Sequence, residues 1–366
     1  MADRGLHIAI DGRELVGQTT GVGRYLQALI ERWARMEGPH RFTVFAPAPP
    51  PSTWTHVSPR VSWEVLAAER AGTLWEQTRL PAAVNRAGAD VLLSPAYTAP
   101  LRVRCPIVLA IHDVSYFTHP EWFSGREGLR RRWLTRRSAA RASAIMALSQ
   151  FGAREIARFL RVPRDRIHVI PLGPPEVPAR SVNVAREPLV IFAGSLFTRR
   201  RIPETLAGFA DMARRVPAAR LIFAGDNRTM PHVDPLAISK DLGIADRVTA
   251  LGYVSDDALA QLYGRARAFV FLSDYEGFGL TPLEAIARGT PPVLLDTDVM
   301  REVYGDAATF VTLAPAAIGA ALERLLQDDG AHAEAVARGR QRLDEYSWER
   351  TAAATLRLLE SAVRGR

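Results

Sequence analysis

Short, unbroken apolar runs alternate with amphipathic helical stretches along this chain, and the alternation is gone through twice. HIAI (7–10), RFTVFA (41–46), DVLLS (90–94) and IVLAIHD (107–113) are the strand-like runs of the first half. LVIFAGS (189–195), ARLIFAGD (219–226), AFVFLS (268–273) and PPVLLD (291–296) are those of the second. Runs without polar alternation belong to strands covered on both faces, so they predict parallel sheets with helices on either side. A chain of 366 residues exceeds the size of one core. The proline-rich, aperiodic stretch PLGPPEVPARSVNVAREP (171–188) between the halves reads as an interdomain linker, and PAPPPS (47–52) as a loop. The expectation is an α/β chain of two doubly wound domains facing each other across a cleft, with ligands at the carboxyl ends of the strands.

Composition narrows the function classes. With 48% hydrophobic and 23% charged residues the chain is an ordinary globular one. Its longest apolar run, IVLAIHDV (107–114), stops at a histidine and an aspartate, well short of the roughly 20 residues of a membrane span. MADRGLHIAID (1–11) holds no signal-peptide core, so a cytoplasmic location is expected. Cys105 is the single cysteine, which excludes an internal disulfide and a multi-thiolate zinc site. The net charge of +8 suggests an anionic partner. Lys240, however, is the single lysine among 47 basic residues, a bias that reads as a chain-wide codon effect. A nucleic-acid partner is not expected, since no recognition helix or RNA-binding signature accompanies the charge.

EGFGLTPLEAIARG (276–289) carries the most chemistry. It follows a buried strand and opens a helix, with Thr281 as expected N-cap, Pro282 at the first helical position and Glu284 closing a capping box. Gly277 and Gly279 allow backbone amides close to a ligand, and the helix end suits phosphates. Glu284 either caps its helix or, with Glu276, binds sugar hydroxyls.

The pattern Glu276-Gly277-Phe278-Gly279-Leu280, then Pro282, Leu283, Glu284 and Ala285, resembles the signature of retaining GT-B glycosyltransferases of family 4. The resemblance runs along nearly the whole chain. TGVGRY (20–25), LWEQTRLP (74–81), SPAYTAPL (94–101), IHDVSYFTHPEWFS (111–124), SQFGAREIARFLRVPRDRIHVIPLG (149–173), LGYVSDDALAQLYGRARAFVFLSDYEGFG (251–279) and YSWERTAAATL (346–356) match its segments in order. It implies two Rossmann-like domains, an acceptor-side one at 1–175 and a donor-binding one at 185–347, with a closing helix at 348–366 that crosses back onto the first. It also implies that Glu276 and the amides of Phe278, Gly279 and Leu280 hold the donor sugar, that Glu284 binds the ribose, and that His112 contacts the sugar near the reacting carbon. A nucleotide-sugar donor, retention of configuration and no metal cofactor follow from it. The HPEWF-type loop favours mannose or rhamnose donors and a saccharide acceptor, free or lipid-linked.

The remaining residues are read beside this. GSLFTRRRIP (194–203) follows the first strand of the second half. Arg199 and Arg200 stand where the family usually carries an arginine–lysine pair gripping the leaving diphosphate, and Ser195 where some relatives carry arginine. Arginine keeps the charge and adds bidentate contact. Gly21, Gly23 and Arg24 form either a strand–loop–helix anion site or a plain turn. Asp113 either orients His112 or ends its strand. Asp296-Thr297-Asp298 spells a metal-binding motif of another fold and is read as a loop; Glu302 gets no role. Arginines crowd 126–141 around Leu129 and Trp133, either a solvated helix or a peripheral contact with the inner membrane face or another anionic surface. The competing functions are a GT-B sugar-nucleotide epimerase and a catalytically silent binding module.

Overall fold

The computed structural model of the chain describes residues 5–17, 21–50, 58–68, 72–175 and 185–365. It divides into two compact units, Met1–Gly173 with Ser347–Arg366, and Pro174–Tyr346. Parts of the proline-rich loop (51 and 52) and of the linker (176–184), and Thr20 of the first glycine segment, lie outside the described residues.

Seven strands build the sheet of the first unit: β1 (His7–Asp11), β2 (Arg41–Ala46), β3 (Val61–Val65), β4 (Val91–Ser94), β5 (Ile107–Ala110), β6 (Ala144–Ala147) and β7 (Ile167–Val169). Their order is β3-β2-β1-β4-β5-β6-β7, and every pairing is parallel. The second unit holds β8 (Glu187–Ala193), β9 (Arg220–Ala224), β10 (Val248–Ala250), β11 (Ala266–Phe271), β12 (Pro292–Leu295) and β13 (Thr309–Val311). These run β10-β9-β8-β11-β12-β13, again all parallel. The core follows from composition: Ile8, Ala9 and Ile10 of β1, like Phe269, Val270 and Phe271 of β11, are fully buried because helices cover both faces.

In each sheet the chain runs outward from a central strand in one direction, then returns to that strand's other side. The reversals fall between β1 and β4, and between β8 and β11. At such a point two neighbouring loops leave the carboxyl edge in opposite directions and open a crevice.

The last helix, Trp348–Arg364, belongs to the first unit. Ser347 caps it by accepting from the amides of Glu349 and Arg350. Its inner face buries Trp348, Ala352, Leu358 and Leu359. Thr351 donates to the Pro171 carbonyl at 2.7 Å, and the Trp33 indole to the Ala352 carbonyl at 3.0 Å. Among the described residues no helix is long and apolar enough to cross a membrane.

Candidate functional site

In the second unit, the loops after β8 and β11 leave from the reversal point and bond to each other. The Asp274 amide donates to the Arg199 carbonyl at 2.9 Å, and Arg201 pairs with Asp274 at 2.7 Å. Arg200 donates through Nη1 to the Ser195 carbonyl at 2.7 Å. Its Nη2 lies 3.5 Å from Glu276 Oε1, with Arg199 Nε 3.7 Å from the same oxygen. Ser273 donates its hydroxyl to that carboxylate at 2.9 Å. Two guanidinium groups thus face one carboxylate, so the local balance is positive. The Arg200 guanidinium is sandwiched against aromatic faces, 4.7 Å from the Phe271 ring and 5.5 Å from Phe197. Burial draws its pKa down to about 10 against the pull of Glu276. Arg199 Nε and Arg200 Nε are buried with no hydrogen-bond partner among the described residues, an unmet demand that an anion would satisfy. Gly194 makes room for this arrangement, since a methyl there would stand 2.6 Å from Arg200 Nη1.

The helix that follows Glu276 spans Leu280–Ala287, and Gly279 is its N-cap at φ 83°, ψ 78°. This corrects the capping box: Thr281 and Pro282 lie inside the first turn, and the N-cap is a glycine with no side chain to accept from the first amides. The reason is a pair of buried tyrosines. Tyr304 donates to the Gly279 carbonyl and Tyr263 to the Thr281 carbonyl at 3.5 Å, which anchors the left-handed turn two residues before the expected cap. Glycine tolerates that turn without the cost any other side chain would bear. Phe278 turns inward, edge-on to Tyr346 at 5.5 Å, so it offers the site only its backbone. Gly277 is buried, while Leu280, Thr281 and Glu284 are half-buried. The Tyr304 hydroxyl is held well above its ordinary pKa by burial, then by Tyr346, Glu276 and Glu284. Both carboxylates therefore act on one neighbourhood.

The first unit carries the other residues. β5 ends at Ala110, so His112 and Asp113 lie in the loop beyond the strand. His112 Nε2 is 2.6 Å from the Pro95 carbonyl, a contact that requires the proton on Nε2 and leaves Nδ1 an acceptor. Burial keeps its pKa below the ordinary value, and the rings of Tyr25 and Tyr97 meet it edge-on at 5.4 and 5.6 Å. Asp113 does not orient this ring; it accepts from Tyr97 at 3.0 Å and from the Ser115 amide at 2.8 Å. Gly21 and Gly23 begin the helix Gly21–Arg35, which brings Tyr25 to His112. A methyl at Gly21 would meet open space, so packing does not demand glycine there.

Sequence reasoning missed a polar knot at the end of β1. Arg13 Nη2 bridges Asp11 and Glu76 at 2.8 Å each, and Thr98 donates to Glu76 at 2.7 Å. Burial raises the Glu76 carboxyl above its ordinary pKa. The signal was available, since charged residues directly after a central strand sit at the reversal point. Asp296 of the Asp-x-Asp spelling is paired with Arg301 at 2.6 Å, and Asp298 opens the helix Asp298–Tyr304. Among the described residues, no group of three or more His, Cys, Asp or Glu side chains is arranged to hold a metal ion.

Residues 19–174 match the family described as Glycosyltransferase Family 4, and residues 175–342 the one described as Glycosyl transferases group 1. O-antigen chain mannosyltransferase B of Escherichia coli is 30% identical over 262 residues, covering 68% of each chain. This chain is a family 4 glycosyltransferase of group 1. The alpha-D-kanosaminyltransferase of Streptomyces kanamyceticus is 24% identical over 61% of this glycosyltransferase and 62% of its own length. Among solved structures, sucrose-phosphate synthase of Thermosynechococcus elongatus superposes with a TM-score of 0.77 at 19% identity, over 99% of this chain and all of its own. An Anabaena protein, HepE, solved with UDP and glucose, gives 0.74 at 19% identity over 97% and 100%. These likenesses carry the GT-B fold, two parallel-sheet α/β units with the last helix returned to the first.

Proposed function

We propose that this glycosyltransferase moves a hexose, mannose or rhamnose type favoured, from a nucleoside-diphosphate sugar to a saccharide or lipid-linked saccharide, with retention and without a metal ion. The observation that carries the donor assignment is the arginine pair, Arg200 buried and Arg199 half-buried, whose buried Nε atoms have no hydrogen-bond partner among the described residues, beside a helix start whose N-cap is a glycine. Charge accumulates on the diphosphate as the sugar leaves, and fixed donors in a buried site stabilise it without reorganising. Arg199, Arg200 and the amides after Gly279 fill that role. Ser195 lines the same loop, and Gly277 lets the chain pass close to the sugar. Glu276, held by Ser273, accepts from sugar hydroxyls, and Glu284 from the ribose. On the first unit, which takes the acceptor, neutral His112 offers Nδ1 to a sugar hydroxyl, with Gly21 and Gly23 at the helix start nearby. The leaving phosphate takes the acceptor proton. The name of the Escherichia coli relative supports mannose, and the ligands of the Anabaena structures support a nucleotide donor.

Thermal stabilisation by UDP, GDP, dTDP and ADP, in excess EDTA and in magnesium, tests the reading. A diphosphate at about 100 times its Kd adds about 2.7 kcal/mol. One diphosphate should stabilise the wild type in EDTA, and Glu284→Ala should weaken the effect. Stabilisation that requires magnesium would overturn the metal-free reading, and none at all would favour a silent module. Product NMR decides the stereochemistry, and an inverted anomer would sink retention.

A further inference from the structure

The helix Gly125–Arg141 of the first unit has two unlike faces. Leu134, Thr135, Ser138 and Ala139 are buried, and the face is pinned by side chains. The Ser138 hydroxyl accepts from the Ala99 amide at 2.9 Å, Arg132 donates to the Tyr116 carbonyl at 3.1 Å, and Arg141 to the Val103 carbonyl at 2.7 Å. The opposite face, at helical spacing, presents Arg126, Leu129, Arg130, Trp133, Arg136 and Arg137, all exposed. Leu129 is 63% and Trp133 56% exposed in the middle of the helix. Arg130 donates to the Thr73 hydroxyl, which brings alongside the neighbouring helix start where Leu74 is 77% exposed. The one acidic residue of the helix, Glu127, is held by Arg130 at 2.8 Å and Arg131 at 2.6 Å.

We propose that Leu74, Leu129 and Trp133, ringed by Arg126, Arg130, Arg136 and Arg137, form a surface that docks on an anionic phospholipid bilayer. The combination of groups selects this occupant. Leucine and tryptophan enter the boundary between headgroups and acyl chains, while arginines beside them meet anionic headgroups. A second copy of the chain would bring like charges together. A nucleic acid would use the arginines and a stacking ring but would leave Leu74 and Leu129 in water. The proposal is independent of the transfer reaction, and it would place a lipid-linked acceptor beside the unit proposed to bind it.

Flotation with vesicles of phosphatidylcholine alone and of phosphatidylcholine with phosphatidylglycerol tests it. The full chain should bind the mixed vesicles and not the neutral ones, and salt should weaken binding. Each arginine replaced in R126Q/R130Q/R136Q/R137Q should cost roughly fivefold in partitioning. L129A/W133A, which keeps every charge, should cost roughly tenfold. All six positions are exposed, so an unchanged circular-dichroism melt checks folding, and R136Q/R137Q serves if the fourfold variant misfolds. No binding to anionic vesicles, or binding by both variants as tight as that of the wild type, would overturn the proposal. So would a loss confined to the arginine variant with equally tight binding to polyuridylate, which is the behaviour of a nucleic-acid surface.

Discussion

With its guanidinium against Phe271 and Nη1 engaged by the Ser195 carbonyl, Arg200 is held in place, so in its proposed role on the leaving diphosphate it acts preorganised. That preorganisation makes it costly to lose. Arg200→Ala should lower kcat by about 100- to 1,000-fold with a much smaller change in donor KM. Arg200→Lys should recover only part, since lysine has one nitrogen to divide between Ser195 and the phosphate. Steady-state kinetics with the donor chosen by thermal stabilisation would measure both, and an unchanged kcat in the alanine variant would remove Arg200 from the mechanism. The charge of this pair was legible in the sequence, and so was its place after a strand. Its burial and the unbonded Nε atoms were not, because they depend on Phe271 and Glu276, which reach it from another part of the chain. His112 shows the same division. Its loop was legible, whereas the Pro95 carbonyl that sets its tautomer lies 17 positions away in the chain. Because burial disfavours the imidazolium, His112 stays neutral as pH falls past 6.5 and charges only at its lowered pKa. The acid limb of kcat/KM assigned to it should therefore lie below pH 6.5 and disappear in His112→Gln.

The start of the helix Leu280–Ala287 is held by residues of other helices, and this is where element-level reading of the sequence went astray. Thr281, Pro282 and Glu284 satisfy the local rules for a capping box. Tyr304, on the helix Asp298–Tyr304, decides otherwise by bonding the Gly279 carbonyl and fixing the turn there. A local pattern cannot reveal a tyrosine arriving from a later helix. Strand reading fared better for a physical reason. Central strands such as β8 and β11 hold the unbroken apolar runs LVIFA and AFVF, whereas the edge strands β3, β10 and β13 are half-covered and were not among the strand-like runs read from the sequence. Tyr304→Phe keeps the ring in its buried slot and removes only the hydroxyl. It leaves the Gly279 carbonyl without its donor, a loss of about 1–3 kcal/mol in a buried setting. The melting point should fall accordingly. Donor KM should rise and kcat fall, because the amides proposed to hold the diphosphate, and its growing charge as the sugar leaves, are misaimed. A variant that loses stability but keeps donor KM would confine Tyr304 to a structural role.

At the scale of the whole molecule, the closing helix joins the end of the chain to its beginning. Its return to the first unit was legible through family resemblance alone, for nothing in YSWERTAAATL says which unit its apolar face covers. The whole molecule also carries an acid weakness. Burial lowers the pKa values of His7, His112, His168 and His332, the last to about 4. Below pH 6.5 the unfolded chain takes up protons that the folded chain refuses, so stability should be flat above that value and decline steadily toward pH 4. Urea midpoints across that range would show it, and a midpoint that rises on acidification would contradict the sign. The closing helix supplies the sharper test. Leu359 is fully buried on its inner face, on the element that also carries Ala352 to Trp33 and Thr351 to Pro171. Leu359→Ala leaves a cavity that cannot collapse between a fixed helix and a sheet, and should cost about 2–5 kcal/mol. The damage belongs to the first unit, although residue 359 follows every residue of the second. Hydrogen exchange should therefore quicken in β4 and β5, against which the helix packs, and stay unchanged in β8 and β11. Nucleoside-diphosphate binding, which is proposed to rest on Arg199, Arg200 and the turn at Gly279, should survive. Faster exchange centred on β8 and β11 would mean that the last helix supports the second unit instead.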